Sequence, residues 1–187
     1  MHTTLTGTGL SDGRPTQAGV SLVELLVATV IAAVTLCGTW AWLWNAGIAS
    51  SATVDRTRAA TAAAFAARSI SGDLELSAAL QDPPAAYGPD RALDLTHLHP
   101  GAPPESVLIV WDPSRRVLWR KASGTYLADH VTRFAVTYYD ESGAVMTAAD
   151  LEAPAWLGRV TRVVVVVVVA AGNESAQAVC DVTLGQR

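Results

Sequence analysis

The chain has 187 residues, half of them apolar, and a formal net charge of −4. That length suits one ordinary domain with additions. The charge is spread in small groups, which argues against a basic nucleic-acid-binding domain. Cys37 and Cys180 form no close pair of the kind a zinc knuckle or redox motif needs, and they read as two free, packed thiols.

Residues 1–19 are rich in Gly, Thr and Ser, with Asp12 and Arg14 as their charges, and read as an unstructured leader. From Val20 the composition changes abruptly. Between Val20 and Val54 the only charged residue is Glu24. The run exceeds the roughly 20 residues that span a bilayer as a helix, and also the roughly 7–15 apolar residues of a secretory signal. Trp40, Trp42 and Trp44 cluster toward its end, where an aromatic belt marks a membrane–water boundary. Glu24 is the misplaced residue. An ionised carboxylate in hydrocarbon costs a few kcal/mol or more, so a partner is expected.

Residues 53–82 are alanine-rich and free of proline, which predicts a continuation of the helix. One helix from about Val20 to about Leu80 is expected, with a break near Gly72 and a stop at Pro83 and Pro84. Residues 20–52 would be its membrane or filament-core part. In the continuation, Val54, Thr61, Phe65, Ile70 and Leu74 recur at helical spacing and predict the face turned to a globular domain. Arg56, Arg58, Arg68 and Asp73 lie mostly off it. Residues 83–187 then hold a loop region and a sheet domain. Pro and Gly dominate residues 82–105, with a short element expected around Ala92–Leu98. His97 and His99 lie in this region and read as surface histidines rather than metal ligands.

From Ser106 the pattern is strand-like. Residues 106–112 and 115–122 flank the turn Asp112–Arg115 and predict a hairpin. Trp111 and Trp119 flank it. A strand follows, in which Thr132, Phe134, Val136 and Tyr138 alternate with Arg133, Ala135 and Thr137. Asp140–Gly143 is a turn. The valine run from Val163 to Val169 predicts a strand buried on both faces. Asn173–Ser175 turns the chain into a last strand. A long N-terminal helix followed by antiparallel strands is an α+β arrangement.

The residues around position 20 carry a resemblance. Gly19, the apolar Val20, the hydroxyl of Ser21, then Leu22, Val23 and Glu24 ahead of a long apolar helix, resemble the processing motif of type IV prepilins and pseudopilins. Further on, the stretches YLADHVTRFAVTYYDESG and LGRVTRVVVVVVV are similar to the C-terminal half of minor pilins of the W type and J-type pseudopilins. The resemblance implies cleavage between Gly19 and Val20 by a prepilin peptidase, N-methylation of Val20, and pairing of Glu24 with the Val20 amine of a neighbouring subunit. It implies a minor subunit that primes or caps a type IV pilus or type II secretion pseudopilus. Its expected partners are the prepilin peptidase, other pilin or pseudopilin subunits, the inner-membrane assembly platform and the membrane. The sheet domain would stand outside the cytoplasmic membrane until the subunit enters a filament. Nucleic acid is not an expected partner, and no cofactor or metal is implied.

Two other readings exist. A tip module contacting DNA, a surface or secreted cargo would need a binding face, and Arg115, Arg116, Arg120 and Lys121 around Trp119 are the only dense basic patch. On a hairpin they divide between the two faces. An uncleaved, membrane-anchored enzyme would need catalytic residues, yet the sequence holds no nucleophile elbow, Walker loop, H-E-x-x-H or C-x-x-C motif. Asp140 and Glu141 lack the spaced acids of a calcium loop.

Overall fold

A computed structural model describes residues 21–84, 86–99, 101–121, 123–153 and 155–184. Its first element is a 55-residue helix, α1 (Leu22–Leu76). Proline is absent from the whole of it, and alanine and leucine are frequent, so little opposes helix propagation. Gly72 interrupts nothing, contrary to the expected break. The chain divides into two compact units, one ending at Gly47 and one beginning at Ile48.

Among the described residues eight strands follow α1, all paired antiparallel. They are β1 (Ser77–Gln81), β2 (Ala92–His97), β3 (Glu105–Asp112), β4 (Val117–Arg120), β5 (Thr125–Ala128), β6 (Val131–Tyr139), β7 (Arg162–Ala171) and β8 (Glu174–Thr183). They form a five-stranded sheet in the order β1-β2-β3-β4-β5 and a three-stranded sheet β6-β7-β8. A short helix, α2 (Ala148–Leu151), and a 3₁₀ turn over Trp156–Arg159 connect β6 to β7. Thr147 caps α2 in a reciprocal capping box with Asp150. The fold is α+β: a long apolar N-terminal helix with its later part packed on C-terminal antiparallel sheets.

The helix ends earlier than its composition suggests. Residues 77–81 are strand, not helix, because β1 pairs with β2 and places Leu80 against the core. Two side chains cover the carbonyls left open at the helix end. Ser77 Oγ donates to the Leu74 carbonyl at 2.7 Å, and His97 Nε2 lies 2.9 Å from the Asp73 carbonyl. His97 is therefore a buried structural residue rather than a surface one.

The buried face of α1 also differs from the expected one. Ile70 and Leu74 are buried, but Val54, Thr61 and Phe65 are exposed. The stripe against the sheets is Ala59, Ala63, Ala66 and Ala67, continued by Ile70, Asp73 and Leu74. Small side chains let a helix approach closely, so the contact face here is a line of alanines that hydrophobicity alone does not single out.

The hairpins lie where the turns put them. Asp112 Oδ1 accepts from the Ser114 and Arg115 amides between β3 and β4, and Asp140 Oδ1 accepts from the Ser142 and Ala144 amides after β6. In β7, Val163, Val165, Val167 and Val169 are buried while Val164, Val166 and Val168 are half-buried. The valine strand is thus buried fully on one face only, where burial on both was expected. β5 is a strand beyond those the sequence pattern predicts; it is short and its Tyr126 faces solvent. One core joins α1, both sheets and the connection, where Tyr138 meets Trp156 edge-on with ring centroids 5.0 Å apart. Burial pushes the Tyr138 hydroxyl well above its ordinary pKa.

Candidate functional site

Every described residue of α1 up to Gly47 is exposed. Leu22, Val23, Leu25, Leu26, Ile31, Leu36 and the residues between them are exposed on every side of the helix. A helix that is apolar all round needs an apolar medium or a bundle of like helices. It is the one described helix long and apolar enough to cross a membrane. The axial distance from Glu24 to Trp44 is about 30 Å at the helical rise, which matches a hydrocarbon core. Trp40 and Trp44 share one side of α1 and Trp42 lies on another, so indoles ring the end of the segment, and all three are exposed.

The polar side chains within this segment are mostly neutralised by the helix itself. Thr29 Oγ1 donates to the Leu26 carbonyl at 2.8 Å, Thr35 Oγ1 to Ile31 at 2.9 Å, and Thr39 Oγ1 to Thr35 at 3.0 Å. Such back-bonding makes a threonine acceptable in an apolar setting. Glu24 has no such internal solution. It sits in the first turn of α1, where the helix dipole favours an anion, and it makes no hydrogen bond or ion pair with any described residue. The structure therefore isolates one carboxylate on an apolar rod. Gly19 and Val20, which carry the expected cleavage and N-methylation, lie outside the described residues.

The other residues singled out in the sequence scatter. Arg120 leaves the basic patch entirely and pairs with Asp73 of α1. Arg115 is exposed beside Asp112, with 3.8 Å between charged atoms, and Lys121 lies over the Tyr87 ring at 5.3 Å. The cluster is dispersed: Arg120 ends β4, whereas Arg115, Arg116 and Lys121 lie outside the strands. His97 and His99 rings are 6.3 Å apart, but His97 is committed to the helix end, and no group of three metal-ligating side chains occurs among the described residues. Cys180 is buried beside Ser71, and burial pushes its thiol pKa up, so it is a poor nucleophile. Cys37 is exposed on the apolar segment; neither cysteine is in a disulfide.

Sequence reasoning missed Arg58. It lies on α1 beyond the apolar run, lines a groove, and has no described partner. Its signal was present only as a charge lying off the expected apolar face.

No family model, no curated protein and no solved structure matches this chain.

Proposed function

We propose that the chain is a pilin-like subunit, cleaved between Gly19 and Val20 and N-methylated at Val20, that primes or caps a type IV pilus or type II secretion pseudopilus. The observation that carries this reading is Glu24, without a partner among the described residues, on a helix exposed and apolar on all sides. In a bilayer or a helical bundle, that carboxylate is costly alone. The new amine created by cleavage at Val20 is a charge of opposite sign, costly alone for the same reason. Bringing the Glu24 of one subunit to the Val20 amine of the next makes both tolerable. The helix then supplies apolar packing area, and the charge pair fixes how far one subunit slides along another. The alanine stripe on α1 and the two sheets give the subunit a rigid outer body.

Mass spectrometry of the mature protein tests the processing step. The expected N-terminus is N-methylated Val20; an intact Met1, or a cut near residue 50, would sink the reading. Glu24→Ala should leave processing largely intact and reduce incorporation into filaments tenfold or more. Normal incorporation of that variant would remove the charge-pair account.

A further inference from the structure

A groove of about 830 Å³ runs along α1 within the unit that begins at Ile48. Its helical wall carries Arg58, Thr61, Ala62 and Phe65, and its other wall includes Tyr126 and Leu127 of β5, the open edge of the larger sheet. Phe65 and Tyr126 are 58% and 67% exposed, so two large rings face solvent in one place. Monomeric surfaces rarely leave such apolar area together without a use. Of the charges on the rim, Asp129 is 3.5 Å from His130, whereas Arg58 has no ion pair or hydrogen bond with any described residue.

The helical wall has a counterpart elsewhere in the same chain. Arg58, Thr61, Ala62 and Phe65 are spaced as Glu24, Val27, Ala28 and Ile31 are. In each set a charge is followed at the third, fourth and seventh positions by residues suited to helix contact, and the two charges are opposite. Parallel helices offset by about 34 positions, or ~51 Å at the helical rise, set Glu24 against Arg58, Val27 and Ala28 against Thr61 and Ala62, and Ile31 against Phe65. The small Ala28 and Ala62 allow the backbones to approach, and the spacing is that of one heptad.

We infer that this groove seats the apolar helix of a second copy of the chain, with Glu24 of one copy paired to Arg58 of the other. The inference rests on the assembly reading above, since the helix must leave the bilayer to reach the groove. It adds a second cation for Glu24, whose two carboxylate oxygens accept from Arg58 and from a Val20 amine together. Because the copy that supplies Arg58 is offset by ~51 Å, the Val20 amine comes from a third copy, so at least three copies stand next to each other in the assembly.

The test uses the full-length chain in cells that assemble filaments, with Cys37→Ser to remove the exposed native thiol. One tagged copy carries Ile31→Cys and a differently tagged copy carries Phe65→Cys. Oxidation should give a mixed disulfide dimer, and Ala60→Cys, exposed on the opposite side of α1, should give none in place of Phe65→Cys. R58E should lower incorporation at least tenfold with an unchanged thermal melt, and R58K should retain it. Absence of the mixed dimer, an equal yield from Ala60→Cys, crosslinks from Phe65→Cys to other proteins alone, or normal incorporation of R58E would each overturn the inference. If Glu24→Ala blocks incorporation while R58E does not, the groove inference falls and the assembly reading stands. If Glu24→Ala incorporates normally, the charge pair itself is gone and this inference goes with it.

Discussion

Asp73 is the acid that α1 buries, at 6% exposure, and its carboxylate is held by Arg120, whose guanidinium also reaches Ser69. A buried pair adds little net stability, but removing one member leaves an uncompensated charge. Asp73→Ala should therefore cost about 3 kcal/mol in urea denaturation. The double variant Asp73→Leu with Arg120→Met should stay within about 1 kcal/mol of the parent, since apolar residues of similar size replace both charges. Nothing in the sequence announces this pair. A charge on an amphipathic helix reads as solvent-facing, and its partner lies 47 residues further on. Glu24 is the contrary case. Its oddity is visible in sequence because every neighbour is apolar, and the structure sharpens it by showing the threonine hydroxyls satisfied by their own helix.

Among the elements, those with strong local signals were legible. β3, β4, β6, β7 and β8 were marked by alternation or by β-branched runs, and two of their turns by Asp112 and Asp140; the last turn is Gly172–Asn173 rather than Asn173–Ser175, because Glu174 and Ser175 already pair with β7. β1 was not legible, because residues 77–81 have helical composition and become strand only by pairing with β2. The contact face of α1 was misread because its residues are alanines, which are selected by closeness of approach rather than by hydrophobicity. The β7–β8 hairpin shows the same closeness. Its turn residue Gly172 has a φ of 57°, and a Cβ there would collide with the Asp55 carboxylate of α1. Gly172→Ala should lose about 1–2 kcal/mol from the left-handed backbone alone, and more from the collision. Adding Asp55→Ala should recover the collision part but not the backbone part, as read by paired thermal melts.

At the scale of the molecule, the chain combines two units with opposite solvent needs. The helix up to Gly47 is exposed and apolar, while the unit from Ile48 contains the whole buried core. A chain beginning at Ile48 should be soluble without detergent and melt cooperatively, whereas the full-length protein should partition into membranes or detergent. Sedimentation of both from the same lysate checks this, and membrane partition of the Ile48 chain would count against it. The sequence by itself determined the apolar helix, the isolation of Glu24, the order of helix before strands and most of the turns. Each of these depends on composition or spacing over a few residues. Tertiary structure decided where α1 stops, which of its faces is buried, that the strands divide into two sheets, that Asp73 is paired inside, and that Arg58 borders a groove. Those outcomes depend on how closely distant segments approach, and the spacing of neighbours along the chain does not carry that information.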